Sequence, residues 1–218
     1  MIADNLKSVR QRIARCCEKA GRPPEEVELV CVMKEASVDD AAQALALGAK
    51  ILGENRVQDA LIKYKVIGDR ATWHFIGHLQ TNKVKDAVRI FSLIHSVDSA
   101  RLAEEIDKSA AKIGKVQDVL IQVNVSGSAT KFGLAADKVS DFLKEVSVYR
   151  NINIKGLMTI APEVSDPEKA RPYFRMLREL RDRIDKAYIL SMGMTNDFEV
   201  AIEEDSNMVR IGRAIFSK

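Results

Sequence analysis

The sequence is short of cysteine, and the few cysteines it has are badly placed for disulfide bonding. Cys16, Cys17 and Cys31 are an odd number, and two adjacent cysteines cannot easily form an unstrained disulfide with each other. These features argue against a disulfide-stapled scaffold and fit a reducing compartment. The chain also lacks an apolar run of membrane-span length and a signal-peptide pattern at its start. We therefore expect a cytoplasmic protein with no membrane partner.

Net charge is also small. The chain has 34 Lys and Arg against 31 Asp and Glu, which gives a formal net charge of +3 over 218 residues. No basic stripe stands out, so we expect no nucleic acid partner. Three histidines and scattered cysteines predict no metal site. Hydrophobic residues make up 46% of the chain and charged residues 30%, which is typical of a soluble globular protein, and we expect a single domain over residues 1–218.

Eight short apolar runs alternate with stretches of helical period, and Val, Ile and Leu dominate most of them. Such runs are typical of strands that are buried on both faces of a parallel sheet. They lie at residues 28–33, 51–52, 72–76, 93–97, 118–125, 155–160, 187–191 and 208–212. Eight strands separated by helices predict an α/β fold, a single (β/α)₈ TIM-type barrel. An open doubly wound sheet has the same local pattern and is the alternative.

Helical periodicity fills the segments between these runs. Ser37 and Asp40 match a capping box, and Gly48 is suited to end the helix that follows. A second helix is predicted after Ser99, and Thr195 is predicted to open a short one. The predicted apolar faces are Val38, Ala41, Ala42 and Leu45; Leu102, Ile106, Ala110 and Ile113; Val139, Phe142, Leu143 and Val146; Phe174, Leu177, Leu180 and Ile184; and Phe198, Ala201 and Ile202.

Two details of the outer ring of helices follow from the sequence. Pro172 lies inside the helix predicted after Asp166-Pro167, so a kink is expected there. The chain stops so soon after the eighth run that we expect no final helix. The amphipathic segment 2–20 is then expected to form an extra N-terminal helix that covers the gap in the ring.

Chemistry in such a barrel lies at the carboxyl ends of the strands, and Lys34 follows the first of them. Strand alternation puts Val30, Val32 and Lys34 on one face. A lysine amine at the rim of an apolar barrel is expected to be partly desolvated, which favours attack on an aldehyde carbonyl. The alternative is a strand-end lysine that merely extends into water.

The segment from Ser191 to Thr195 has the composition of a phosphate-binding site. It joins the ends of the last two strands, where these barrels commonly hold a phosphate. Gly193 and Gly212 allow close approach of backbone N–H groups, and Ser191 and Thr195 add hydroxyl donors. The alternative is helix capping by Thr195 with ordinary turn glycines, and Asp197 supports it because an anion there competes with a phosphate.

Three further residues are candidates because of their position at strand ends. Asn55 follows the second run, Lys131 lies in the loop after the fifth, and Met158 ends the sixth. Asn55 is also a typical turn residue. His74 is expected to pack inside the barrel with a hydrogen-bonded ring.

Eight segments of the chain resemble the pyridoxal phosphate homeostasis protein family, also called the YggS or PROSC family. The resemblance runs in order over nearly the whole chain, and the motifs together are highly specific. They are Val32-Met33-Lys34, GENRVQ (53–58), WHFIGHLQTNK (73–83), HSVDS (95–99), NVSGSATKFG (124–133), GLMTIAP (156–162), LSMGMTNDFEVAI (190–202) and MVRIGRAIF (208–216).

This resemblance implies a barrel like the N-terminal domain of alanine racemase, with bound pyridoxal 5′-phosphate (PLP). Lys34 resembles the lysine that forms an imine with PLP, and Arg210 resembles the residue that faces the pyridine ring. Asn55 resembles a ring-proximal asparagine, and Lys131 a second lysine thought to influence PLP transfer. The implied phosphate cradle is Ser191, Gly193, Thr195 and Gly212.

Two departures from the family pattern are visible. Thr195 stands where Ser is more usual, which keeps the hydroxyl, and Met33-Lys34-Glu35 replaces the more usual Ser-Lys-Thr type, which adds a carboxylate.

The resemblance implies storage, buffering or delivery of PLP without substantial turnover. PLP-dependent apo-enzymes are the implied recipients. If Arg210 faces the pyridine nitrogen, that nitrogen stays unprotonated and the ring is a weak electron sink. Related racemases carry an additional β domain, and residues 213–218 leave no room for one. We therefore expect exchange of the cofactor and a monomeric protein. The alternatives are a PLP-dependent amino-acid racemase and a phosphosugar enzyme of the same fold.

Overall fold

The computed structural model of the chain describes residues 1–128, 130–184 and 188–217. Within these residues there are nine strands: β1 (Glu28–Val32), β2 (Ile51–Glu54), β3 (Thr72–Phe75), β4 (Leu93–Val97), β5 (Gln117–Asn124), β6 (Leu134–Ala135), β7 (Ile152–Met158), β8 (Ile189–Ser191) and β9 (Met208–Ile211). The helices of the same residues are α1 (Ile2–Lys19), α2 (Val38–Ala46), α3 (Val57–Ile67), α4 (Val84–Ile90), α5 (Ala100–Ala111), α6 (Val139–Val146), α7 (Arg171–Arg181), α8 (Phe198–Glu203) and α9 (Arg213–Phe216). No helix among them is both long and apolar enough to cross a membrane.

Eight of these strands form a closed parallel barrel. Neighbours in the ring are β4, β3, β2, β1, β9, β8, β7 and β5, and the pairing of β5 with β4 closes it. The predicted TIM-type barrel is therefore confirmed, and the open-sheet alternative is wrong. The two-residue strand β6 pairs only with the end of β5, at Val123 and Asn124, and was not predicted. Residue 187 of the predicted seventh strand lies outside the described residues.

Apolar side chains fill two compartments, as strand alternation requires. A small cluster lies inside the barrel and comprises Val30, Ile51, Leu93, Leu120, Met158 and Met208. The larger cluster lies between the strands and the surrounding helices. Cys31, Trp73 and Phe75 belong to this outer cluster and are at most 2% exposed. The barrel is thus a packed core, and only its carboxyl end is available for a site.

Local sequence signals place both ends of α2. The capping box is present, because Asp40 N donates to Ser37 Oγ (3.1 Å) and Ser37 N donates to Asp40 Oδ2 (2.8 Å). Gly48 follows α2 with φ +81°, a conformation that favours glycine. Ile113 lies beyond the end of α5 and is 44% exposed, so it does not extend that helix's buried face.

The predictions for α7 and α8 are wrong in one detail each. Pro172 does not kink α7, because it lies in the first turn, where its missing N–H has no helical partner to lose. The chain before it forms a separate 3₁₀ turn at Pro167–Ala170. The short helix expected at Thr195 begins instead at Phe198, with Asp197 at its N-cap position.

The ring of helices is completed by α1, as predicted. It packs against α8, α9 and α2. Asn5 Nδ2 donates to the carbonyl of Ile215 (3.1 Å), and Arg12 forms two hydrogen bonds with the carboxylate of Glu199 (3.0 and 3.1 Å). The expectation that no helix follows the last strand is wrong, since the one-turn helix α9 fits there.

Candidate functional site

A cavity of about 500 Å³ opens at the carboxyl end of the barrel. Its size lies within the range of small-molecule sites in proteins. The segments that follow β1 and β9 form much of its wall. The residues that line it are Val32, Lys34, Glu35, Ala36, Ile76, Ile160, Met194, Thr195, Arg210, Gly212, Arg213, Phe216 and Ser217.

Lys34 lies in a tight turn directly after β1. Met33 N donates to the Gly53 carbonyl (2.8 Å), and Ala36 N donates back to the Met33 carbonyl (3.1 Å). The Lys34 side chain is 61% exposed, and its Nζ lies 3.7 Å from Oε1 of Glu35. Lys34 therefore lies at the end of the first strand, as predicted, but its side chain is too exposed for the partial desolvation that was predicted.

Arg210 lies at the inner wall of the cavity and is only 3% exposed. Its Nη1 donates to Ser191 Oγ (2.6 Å) and its Nη2 to the Thr159 carbonyl (2.8 Å). Burial lowers the pKa of Arg210 to about 10, and nearby Asp197 opposes that effect. The guanidinium consequently stays protonated at neutral pH and can act only as a hydrogen-bond donor.

A buried chain of polar side chains continues from Arg210 into the barrel. Ser191 Oγ lies 3.0 Å from His95 Nδ1, and His95 Nε2 lies 3.1 Å from His74 Nδ1. Burial lowers the pKa of His74 to about 3, and burial, then the neighbouring His74 and Arg210, hold the pKa of His95 well below its usual value. Both imidazoles are therefore neutral. One assignment of protons satisfies every link: Arg210 donates to Ser191, Ser191 to His95, and His95 to His74.

The predicted site residues divide into those on the cavity wall and those behind it. Lys34, Thr195, Arg210 and Gly212 line the cavity. Among the described residues, Thr195 Oγ1 accepts only a long bond of 3.5 Å, from Ala214 N.

Ser191, Gly193 and Met158 are not among the residues that line the cavity, and their contact with a ligand stays a prediction. The Ser191 hydroxyl is held in the buried polar chain, and Met158 belongs to the apolar cluster inside the barrel. Gly193 has φ +93°, and a Cβ there would lie 2.6 Å from the Cβ of Ala201. Its lack of a side chain is therefore explained by the packing of α8.

Asn55 and Lys131 are not among the residues that line the cavity. Asn55 follows β2, whose Gly53 is in register with Val32 of β1, so Asn55 lies beside the Lys34 turn. Its Oδ1 is buried and has no hydrogen-bond partner among the described residues. A buried acceptor without a donor is rare in proteins, and among the described residues Ser96 Oγ and Gln117 Oε1 are also buried without a partner.

Side chains at the end of β5 fix the segment that carries Lys131. Asn124 Nδ2 donates to the carbonyl of Lys131 (3.2 Å), and Gln122 Nε2 donates to that of Phe132 (3.3 Å). The Phe132 ring stacks on His78 with centroids 3.8 Å apart. These contacts hold the segment at the carboxyl end of the barrel.

His95 was missed from the sequence. Its alternation with Leu93, which faces the barrel interior, was the available signal. Nothing local in the sequence indicates its partner Ser191, which lies 96 residues further along the chain.

Comparison with known proteins supports this description. The family model for the alanine racemase N-terminal domain matches residues 5–218. The pyridoxal phosphate homeostasis protein of Aquifex aeolicus is 45% identical over 221 residues, covering 99% of this chain and 97% of that protein. The structure of PipY from Synechococcus elongatus, with PLP bound, superposes with a TM-score of 0.85 at 32% identity, and all of both chains is covered. A protein from Bifidobacterium adolescentis superposes with a TM-score of 0.94 at 34% identity, over 99% of this chain and 94% of that one. The chain therefore belongs to the pyridoxal phosphate homeostasis protein family, within the alanine racemase N-terminal domain fold.

Proposed function

We propose that the protein binds PLP through Lys34 and stores, buffers or delivers it without substantial catalytic turnover. The observation that carries the proposal is the placement of Lys34 and Arg210 on the walls of one cavity. The PLP-bound structure of PipY and the name of the Aquifex aeolicus relative give independent support.

The residues at the cavity fit the functional groups of PLP. Lys34, on the cavity wall, supplies an amine for the aldehyde. Thr195 and Gly212 offer a hydroxyl and a backbone position for the phosphate, and Arg213 adds a positive charge at the same wall. When bound, PLP supplies an aldehyde: the Lys34 amine condenses with its carbonyl carbon, a carbon–nitrogen double bond forms, and water leaves.

Two properties of the site bear on the choice between a carrier and a racemase, and the exposure of Lys34 favours the carrier. A protonated Arg210 has N–H donors and no acceptor, so a ring nitrogen facing it stays unprotonated and withdraws electrons weakly, which a racemase tolerates only with a base on each face of its substrate. Lys34 is largely exposed, so water and incoming amines can reach its nitrogen. Reversible attachment is therefore favoured over a sequence of protected proton transfers.

The setting of this function is also a proposal. Cys16, Cys17 and Cys31 are free thiols, which supports a reducing compartment such as the cytoplasm. PLP-dependent apo-enzymes are the proposed recipients. The proposed working state is a monomer, and sedimentation of the purified protein will test this oligomeric state.

The decisive experiment is an absorbance spectrum of the protein with PLP, followed by borohydride reduction and peptide mapping. We expect an imine band and a label on Lys34. Lys34→Ala should lose both but keep affinity for 4-deoxypyridoxine 5′-phosphate, which lacks the aldehyde. Lys131→Ala is the matched control and should keep the label. A label on Lys131, no chromophore at all, or steady turnover of alanine, serine or threonine by the pure protein would overturn the proposal.

A further inference from the structure

A buried ion pair joins the end of β2 to α3 outside the cavity wall. Glu54 is 0% exposed and Lys63 is 8% exposed, and Lys63 Nζ contacts Glu54 Oε1. Burial raises the pKa of the Glu54 carboxyl, although Lys63 opposes this effect. Removing two charges from water is costly, and apolar pairs of similar size often serve stability as well. The pair therefore needs an explanation other than stability.

The ammonium group of Lys63 has a second partner in the segment that carries Lys34. Its Nζ donates to the carbonyl of Met33 at 2.6 Å. That carbonyl also accepts from Ala36 N and so closes the turn in which Lys34 and Glu35 are the two central residues. Lys63 thus fixes the carbonyl from which the Lys34 turn starts.

The carboxylate of Glu54 fixes the backbone at the end of β2, where Asn55 follows. Its Oε2 accepts from the backbone N–H of Asn55 at 3.3 Å. Asn55 is the residue whose Oδ1 is buried without a partner among the described residues. One ion pair consequently fixes the backbone of two neighbouring strand ends, one with Lys34 and one with Asn55.

We propose that Lys63 and Glu54 are positioning residues that hold the Lys34 turn and Asn55 in the arrangement needed for covalent capture of the aldehyde. This inference rests on the proposed function. Lys63 acts through the Met33 carbonyl, and it is not among the residues that line the cavity. The role of the pair is to set where the Lys34 amine is held, while binding of the ring and the phosphate depends on other residues.

The test compares two ligands that differ only in the ability to form the covalent bond. PLP reports on capture by Lys34, and 4-deoxypyridoxine 5′-phosphate reports on ring and phosphate binding alone. In Lys63→Met we expect the affinity for PLP to fall about tenfold or more, since small misplacements of a reacting group have effects of that size. Affinity for the analogue should change less than about twofold, and the rate of borohydride labelling at Lys34 should fall with the PLP affinity.

Two further variants keep the result interpretable. Lys63→Met alone leaves a buried charge, so Glu54→Gln combined with Lys63→Met provides a neutral pair of similar size. Lys115→Met is the matched control, because Lys115 Nζ also donates to two backbone carbonyls, those of Val88 (2.8 Å) and Phe91 (2.7 Å), but it is not among the cavity-lining residues. The control should keep the wild-type ratio of the two affinities.

The outcomes separate the two proposals. A wild-type ratio in the folded double variant, or loss of folding in that variant as well, would overturn the positioning role, because the pair would then serve only the fold. A wild-type protein that shows no label on Lys34 would instead overturn the proposed function itself. A lowered ratio in the double variant, with a normal ratio in Lys115→Met, is the expected result.

Discussion

His95 and Ser191 share a hydrogen bond across the inside of the barrel, with 3.0 Å between Nδ1 and Oγ. Both residues are completely buried, one on β4 and the other at the end of β8. Through this contact the neutral imidazole pair His74–His95 is connected to the charged guanidinium of Arg210. The orientation of a cavity-lining cation therefore depends on two histidines deep in the barrel.

The buried histidines predict that stability falls in mild acid. The pKa of His74 is about 3 in the folded protein and about 6.5 in an unfolded chain. Between these values the unfolded state binds a proton that the folded state does not, so the free energy of unfolding decreases as pH falls below about 6.5. Each such imidazole contributes about 1.4 kcal/mol per pH unit. Denaturant unfolding at pH 7, 6, 5 and 4 will measure the slope.

Variants assign this slope to the buried pair. His74→Gln removes one titrating group and should make the slope shallower by about 1.4 kcal/mol per pH unit between pH 6 and 4. His78→Gln, which changes a histidine outside the buried pair that is 38% exposed, is the matched control for the substitution. An equal slope in wild type and His74→Gln would contradict the explanation.

Ser191→Ala is predicted to affect stability first. It leaves Arg210 Nη1 and His95 Nδ1 without their partner, which should cost about 1–3 kcal/mol in the free energy of unfolding. Ser96→Ala is the control, because Ser96 Oγ is buried with no partner among the described residues and its loss should cost far less. Unchanged stability with PLP affinity lowered by about 1.5–3 kcal/mol would instead show that Ser191 contacts the phosphate directly.

Gly193→Ala is predicted to be more damaging than the same change at Gly21. Both glycines have positive φ, +93° and +65°, so both substitutions strain the backbone. Only at Gly193 would the new Cβ also overlap Ala201 and Phe198; at Gly21 nothing lies within 4 Å. The overlap should add about 1–3 kcal/mol to the loss of stability. Similar melting temperatures for the two variants would contradict this prediction.

Glu204 is predicted to stabilise the packing of α7 against α8. Its carboxylate is 4% exposed and contacts Arg171 (3.2 Å), Arg175 (2.9 Å) and Arg178 (2.7 Å), all on α7. Glu204→Gln should cost about 1.5–3 kcal/mol, the range for hydrogen bonds to charged groups. Glu168→Gln changes an exposed partner of Arg171 and should alter thermal stability little. Equal losses of stability in the two variants would contradict this prediction.

The barrel was predictable because Val, Ile and Leu dominate most of its strands, whereas its details depend on distant partners. The second run was predicted over two residues, but β2 continues through Gly53 and Glu54. Glu54 is charged and still completely buried because Lys63, nine residues later on α3, pairs with it. Strand periodicity carries no information about such a partner.

The same limit applies to the site. Lys34 and Arg210 were identified because each lies at or near the carboxyl end of a strand, where cavities of this fold lie. Ser191 also ends a strand, but its hydroxyl faces the barrel interior and is held by residues from two other strands. Sequence position alone does not separate a cavity-lining hydroxyl from one behind the wall.

Helix α1 is synthesised long before the elements that cover its apolar face. The apolar face of α1, with Leu6, Val9 and Ile13, is buried largely by α8 and α9, and Asn5 bonds to the Ile215 carbonyl. During translation this apolar face therefore stays uncovered until most of the chain has left the ribosome. Exposed apolar surface on a nascent chain promotes aggregation. Chaperone binding at this face during synthesis should consequently raise the yield of folded protein.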